Sequence, residues 1–278
     1  MPPETHKWDG SAADNAFDTA ANYDSVDVPA STDTVIFPAL AAASGINVDG
    51  SDQSALLLAA FWNEPGCYVE FGSRIAYLQL DTDLLVFAGS GQAFLDVDNC
   101  AEIRVTDAAY STSATDYGLC LVGEGNTLLT LDPGSNRGVS LAALGDEAFA
   151  CTTIQADSGR ISLGSGVTNT TLSVSGADLE TRSDHTTTNV YGGVFRQSDN
   201  KSTTLNLRGG TTYYNRPTSD APTTLSMYAN AILDLTELTA ALAIATINIY
   251  GKCLIRGDRG LLSWTTMNRY NNGDIRFL

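Results

Sequence analysis

Five segments of the chain repeat one pattern: Thr152-Thr153-Ile154-Gln155-Ala156, Thr170-Thr171-Leu172-Ser173-Val174, Thr203-Thr204-Leu205-Asn206-Leu207, Thr223-Thr224-Leu225-Ser226-Met227 and Ala245-Thr246-Ile247-Asn248-Ile249. With the Ile/Leu as position zero, −1 is always Thr, +1 is Gln, Ser or Asn, and +2 is apolar. That is a period of two with one apolar face, the pattern of a half-buried strand. Position +4 is Gly176, Gly209, Ala229 and Gly251 in four copies, and Gly159 falls one residue later in the first. Position +7 is Ile161, Leu179, Thr212, Ile232 and Leu254. Each unit therefore reads as strand, tight bend and second strand, both strands facing one interior.

Like residues at like positions in every copy favour stacking, because a coil placed above its twin repeats the twin's environment. A sandwich sets successive hairpins in different environments and has no reason to repeat them. The pattern predicts an all-β chain folded as a right-handed parallel β-helix, with a β-sandwich or jelly roll as the alternative. Spacings between zero positions are 18, 33, 20 and 22 residues. The long interval is expected to hold a polar excursion at 182–201. Weaker copies stand at Leu129-Thr130-Leu131, Leu95-Asp96-Val97 and Leu78-Gln79-Leu80.

A solenoid leaves apolar interior and strand edges open at each end, so both ends need covers. Residues 1–38 are expected to form an N-terminal lead-in and cap, 39–260 the β-helix, and 261–278 a C-terminal cap where the repeat lapses. Trp8, Phe17 and Tyr23 are the capping candidates at one end, and Trp264, Tyr270 and Phe277 at the other. The Ala/Leu-rich stretches 55–62 and 140–150 are the expected helical turns.

Charge narrows the function. Lys plus Arg is 15 against 32 Asp plus Glu, a net charge of −17 over 278 residues. A chain so acidic is not expected to bind nucleic acid, which needs a basic face, nor an anionic membrane surface. The start, Met1-Pro2-Pro3-Glu4-Thr5-His6-Lys7-Trp8, does not read as a secretory signal. The longest apolar run, 55–62, is shorter than a membrane span. The five cysteines, Cys67, Cys100, Cys120, Cys151 and Cys253, lack C-x-x-C spacing and read as buried thiols, with no metal or cofactor implied.

Chemistry-bearing patterns are few. Asp81-Thr82-Asp83 and Asp96-Val97-Asp98 put paired acids on one strand face, their Cα atoms about 6.5–7 Å apart. That spacing suits a glycosidase pair or calcium, although acids at i, i+2 recur by chance in so acidic a chain. His6 falls in the irregular lead-in. His185, in Ser183-Asp184-His185-Thr186, is expected to be exposed, and no nucleophile-elbow motif supports a triad there. Gly89-Ser90-Gly91 and Gly164-Ser165-Gly166 read as flexible turns, and Gly123-Glu124-Gly125 is too short for a phosphate loop and carries an acid where a phosphate would need none. Tyr213 and Tyr214 beside Arg216 suit a sugar platform or a contact between subunits, and otherwise divide into one core ring and one surface ring.

The lead-in reads Trp8-Asp9-Gly10, Ala20-Ala21-Asn22-Tyr23, Val28-Pro29 and Asp33-Thr34-Val35-Ile36-Phe37. This order resembles the opening of β-helical passenger segments of autotransporter-type proteins, and it is similar to the start of many virion proteins of tailed bacteriophages. The resemblance spans about 30 residues, with rungs of the same style after it, and brings no catalytic signature. Without an export signal the phage branch is favoured. It implies a non-enzymatic virion structural protein, a capsid decoration or head fibre, assembled in the host cytoplasm. The implied partners are identical copies, a trimer being the expected form, and other virion proteins such as the major capsid protein. The alternatives are a tail fibre or spike that binds or cleaves host polysaccharide, and a cell-surface adhesin fragment.

Overall fold

The computed structural model describes residues 3–12, 14, 16–39, 47–48, 52–108, 117–135, 137–143, 147–214 and 221–278. One wall consists of β1 (Thr5–Lys7), β2 (Thr34–Phe37), β5 (Ala60–Asn63), β8 (Leu84–Phe87), β10 (Glu102–Val105), the second part of β11 (Leu119–Leu131), β13 (Phe149–Ala156), β15 (Val167–Val174), β17 (His185–Val190), β19 (Ser202–Leu207), β21 (Thr224–Tyr228), β23 (Leu242–Tyr250) and β25 (Leu262–Arg269). The other consists of β3 (Asn47–Val48), β4 (Asp52–Leu58), β6 (Glu70–Phe71), β7 (Leu78–Thr82), β9 (Ala93–Asp98), the start of β11, β12 (Gly138–Leu141), β14 (Arg160–Leu163), β16 (Asp178–Thr181), β18 (Val194–Gln197), β20 (Thr211–Tyr214), β22 (Ile232–Asp234), β24 (Lys252–Arg256) and β26 (Asp274–Phe277). Every pairing between these strands is parallel and joins a strand to its counterpart one coil away, for example β13 to β15 and β14 to β16. The chain is a parallel β-solenoid, as the repeat predicts.

Register explains the repeat. On the first wall His6, Val35, Phe61, Leu85, Ile103, Leu129, Ile154, Leu172, Thr188, Leu205, Leu225, Ile247 and Met267 stand one above another. At about 4.8 Å per coil this column runs nearly 60 Å. On the second wall Val139, Ile161, Leu179, Phe195, Thr212, Leu233, Ile255 and Phe277 form the facing column. The two columns close on one continuous core. Outward, Thr153, Thr171, Thr187, Thr204, Thr224, Thr246 and Thr266 make a threonine column beside an amide and hydroxyl column. In that second column Asn206 Nδ2 donates to Asn189 Oδ1 at 3.0 Å and Asn268 Nδ2 to Asn248 Oδ1 at 3.0 Å.

The structure corrects several expectations. Residues 182–201 hold no excursion but a full coil, β17 and β18, with Thr188 in the aliphatic position. Of the weaker copies, Leu129 belongs to the first wall, whereas Leu78 and Leu95 pair with each other on the second. In the last two copies the inward residue is Leu233 or Ile255, one place beyond Ile232 or Leu254, because the bend before it is one residue longer. The stretches expected as helical turns are strands, β4 and β5 for 55–62 and β12 and β13 within 140–150. Among the described residues the only helical pieces are two three-residue 3-10 turns, at Ala20–Asn22 and Arg259–Leu261.

The ends differ from each other. At the N-terminal end Trp8 packs edge-on against Tyr23 and stacks on Phe37, while the Tyr23 hydroxyl donates to the Phe17 carbonyl at 2.8 Å. All three expected capping rings are buried there. The stretch 261–278 instead carries a further coil, with Thr266, Met267 and Asn268 in the repeat's own register. Trp264 and Phe277 are only half-buried, and Tyr270 is exposed.

The glycines of the bends are required by coil-to-coil approach. A Cβ on Gly209 would lie 2.5 Å from the Tyr191 carbonyl oxygen of the coil below. Gly209→Ala is therefore expected to cost about 1–3 kcal/mol, read as a lowered midpoint in urea unfolding with the far-UV spectrum retained.

Candidate functional site

Among the described residues, a stripe of stacked rings and an acidic groove stand out as outer side chains that can meet a partner. The first is a stripe at position +3 of the repeat, just before the bend. Arg208 lies over Tyr191 and over Tyr228, its guanidinium carbon 5.5 and 4.8 Å from the ring centroids. Tyr228 stacks on Tyr250 at 4.7 Å, and Tyr250 on Tyr270 at 4.7 Å, each pair nearly parallel. Five consecutive coils thus contribute one ladder of rings and cation, because stacking at the coil spacing suits π-faces. Mutual stacking uses up the inner ring faces, so the ladder offers a row of edges and hydroxyls, with one ring face of Tyr270 left outward.

Tyr213 and Tyr214 do not form a sugar platform. Tyr214 points into the core and is buried, whereas Tyr213 stays outside, beneath the Arg196 guanidinium at 5.3 Å. Arg216 lies outside the described residues. Tyr213 belongs to a second outer column, Glu180, Arg196, Tyr213, Asp234 and Arg256, in which charges of opposite sign alternate around the ring.

The second concentration is an acidic groove of about 550 Å³, lined by Tyr77, Gln79, Asp96, Asp98, Glu124 and Glu147 among others. Asp96 and Asp98 alternate with buried Val97 along β9 and so share the outer face. Asp98 Oδ1 accepts the Glu124 amide at 2.6 Å, and the Tyr77 hydroxyl donates to Glu147 Oε1 at 2.8 Å. Burial, with Glu147 adding to it, pushes the Tyr77 phenol well above its ordinary value. Asp81 stands beside Asp98 on the neighbouring coil. Asp83 does not join them, because the chain turns its corner between β7 and β8 at that residue, leaving its side chain exposed. Of the two sequence pairs, the structure therefore keeps Asp96 and Asp98 together and separates Asp81 from Asp83. Tyr77, Glu124 and Glu147 were illegible beforehand, since only coil stacking brings Glu147 to a tyrosine 70 residues away. The tyrosine ladder had a signal, Tyr228 and Tyr250 at +3 of two adjacent copies.

Both histidines are buried, contrary to the expectation for His185. His185 is 2% exposed, because it takes an inward position at the start of β17. Its Nε2 meets Thr181 Oγ1 at 2.8 Å and Ser183 Oγ at 3.4 Å, and its Nδ1 meets Asn169 Oδ1. Gln197, Ser202 and Thr188 extend the network. Asp184 points away and accepts the Lys201 amide, so Ser183, Asp184 and His185 form no triad. The five cysteines are all free and buried, and burial raises the Cys100, Cys151 and Cys253 thiols to about 11, which keeps them protonated and unreactive. Among the described residues no group of three or more His, Cys, Asp and Glu is placed to hold a metal ion.

Comparison with family models, curated proteins and solved structures returns no match for this chain.

Burial pushes the His185 imidazole down to about 4 from its ordinary 6.5. The unfolded chain then binds the proton more readily, so this residue's contribution is complete above about pH 6.5 and is lost as the pH falls toward 4. Between those limits it amounts to about 3 kcal/mol. Urea unfolding at pH 7 and pH 4.5 is expected to show a smaller pH loss in His185→Gln than in the parent chain.

Proposed function

We propose that this protein is a structural component of a bacteriophage particle, a capsid decoration or head fibre that works by assembling with identical copies and attaching to the particle. The lead-in motif supports the family, and the solenoid supports the role, since a stiff rod with repetitive outer columns presents the same groups at fixed intervals. The observation that carries the reading is a reversal of charge along the rod. Residues 252–278 hold Lys252, Arg256, Arg259, Arg269 and Arg276 against only Asp258 and Asp274, in a chain whose net charge is −17. The same coil exposes the Tyr270 ring and half-buried Trp264 and Phe277, with Arg259 lying over both of the latter at 4.4 and 5.1 Å. Aromatic groups and arginine are what protein interfaces enrich. Acidic bodies repel one another along most of the rod, and approach costs least where the sign reverses.

Identical copies, as a trimer, and a major capsid protein are the partners this reading assigns. Light scattering on the purified chain is expected to return three times the monomer mass. Reversing two of the exposed cations, Arg269→Glu with Arg276→Glu, is expected to weaken association at least tenfold without loss of secondary structure. A parent chain that stays monomeric at every concentration and does not bind virions overturns the reading.

The groove with Asp96, Asp98, Glu124 and Glu147 favours one second reading, a tail fibre or spike acting on host polysaccharide. Release of reducing ends from host glycan, abolished in Asp98→Asn, would support it, and no release from any host glycan removes it.

A further inference from the structure

We propose that Ser25, His6 and Asp33 form a nucleophilic site on the N-terminal cap, one that takes the acyl group of a neutral ester onto Ser25 Oγ and passes it to water. This goes beyond the assembly reading and does not depend on it.

His6 is the central residue of β1 and takes the inward position of the first coil, where the next coils place Val35, Phe61 and Leu85. A polar ring there needs partners, and it has one on each nitrogen. Nε2 lies 3.1 Å from Asp33 Oδ2, and Nδ1 lies 2.8 Å from Ser25 Oγ. Asp33 is fixed in turn, its Oδ1 accepting the Glu4 amide at 2.8 Å and its Oδ2 the Ala30 amide at 2.8 Å. Burial works to raise the Asp33 carboxyl, but those two amides and His6 outweigh it and hold the acid below its ordinary value.

An ionised carboxylate only accepts, so His6 Nε2 carries the proton that Asp33 receives. In the ring's neutral form the lone pair is then on Nδ1, where it can accept the proton of the Ser25 hydroxyl. Nucleophile, base and orienting acid thus stand in the order acyl transfer requires. Only the nucleophile is reachable from outside: His6 is 2% exposed, Asp33 is buried, and Ser25 is open to solvent. Beside Ser25, Val26 holds φ at 55°, a left-handed conformation costly for a β-branched residue, and its amide closes a turn onto the Tyr23 carbonyl at 2.9 Å. Strain of that kind concentrates at working sites. The amides of Ser25 and Asp27 donate to no group among the described residues and so remain free to bond a ligand oxygen.

In the reaction Ser25 Oγ bonds to the ester carbonyl carbon while its proton moves to His6 Nδ1. The carbon–oxygen bond to the alcohol breaks, and His6 returns the proton to the departing oxygen. Water then attacks the acyl-serine, its proton passes through His6 to Ser25 Oγ, and a carboxylic acid leaves. Asp33 touches no reacting atom and is a positioning residue. Asp24 and Asp27 flank the serine and repel anionic substrates, while Val26 and Val28, 68% and 40% exposed, offer apolar contact. The substrate class is accordingly a neutral ester with a small apolar acyl group.

The test is labelling of the full chain with an alkyl fluorophosphonate, with mass spectrometry locating the modified serine. Ser25 is expected to react at least about 100-fold faster than Ser11 and Ser31, exposed serines with no histidine partner. Ser25→Ala is expected to lose that label while melting as the parent does. In His6→Gln and Asp33→Asn, each checked by circular dichroism, Ser25 is expected to fall toward the rate of Ser31 while Ser31 itself is unchanged, a difference that a mere loss of packing does not produce. Because both variants remove a buried partner from the cap, restoring labelling of His6→Gln with added imidazole distinguishes a lost base from a lost fold. p-Nitrophenyl acetate is expected to acylate Ser25 at least tenfold faster than its succinyl counterpart. Labelling of Ser25 no faster than Ser31 in the parent, or undiminished in folded His6→Gln, overturns the site, and equal rates with the two esters overturn the substrate class.

Discussion

The structure depends on one constraint, that each backbone strand finds its hydrogen-bond partner in the coil above and the coil below. A parallel ladder between coils fixes their separation near 4.8 Å. Once that distance is imposed, each residue is set against the residue at its own position in the next coil. Aliphatic groups then fill a tube, amides bond to amides, and rings stack on rings. The columns from Val35 to Met267 and from Val139 to Phe277 are the same constraint seen on the two walls. So are the glycines, since a bend that brings the Tyr191 carbonyl within 2.5 Å of a would-be Cβ admits no side chain.

One group of polar side chains enters the tube as a connected set, whereas Thr212 stands alone in the facing column with its buried hydroxyl unbonded among the described residues. Thr188, His185, Ser202, Gln197 and Thr181 occupy neighbouring coils and satisfy one another. A single polar residue in an otherwise hydrocarbon column would carry a desolvation cost of several kcal/mol, whereas a connected set does not. At the first coil the same requirement is met differently. His6 faces the end of the tube, so its partners come from the cap, Asp33 on one side and Ser25 on the other. One partner is buried and one is open to solvent, and that asymmetry makes a chemical site of what is elsewhere a packing device.

Outside the tube the same stacking concentrates surface chemistry into stripes. The Tyr191 to Tyr270 ladder and the alternating column from Glu180 to Arg256 are each built from residues 16 to 22 apart in sequence that the coil makes adjacent. The acidic groove arises where β11 crosses between the walls at Gly123 and Gly125, both with positive φ, and leaves room between Asp96, Asp98 and Glu147. Charge varies along the rod as well as around it, acidic through most of its length and basic over the coil that holds Arg259, Arg269 and Arg276.

What the sequence determined alone was the coil: Thr, aliphatic and amide at fixed places, with a glycine bend, repeated often enough to require stacking. It also marked Trp8, Phe17 and Tyr23 as a cover, because aromatic residues in an irregular acidic lead-in have no other apolar surface to meet. Only the tertiary structure decided the rest. The coil at 182–201 was hidden because Thr188 replaces the aliphatic residue by which a coil is recognised, and its acceptability comes from Ser202 on the next coil. The stretch 261–278 read as a cap because Met267 and the longer bends blur the pattern, although the backbone ladder continues. Asp81 and Asp83 were parted by a corner that alternation cannot reveal. Ser25, His6 and Asp33 lie 19 and 27 residues apart about the histidine and share no motif. Periodicity reports which face of a strand is buried; it is silent about which distant side chains the ends of a tube bring into contact.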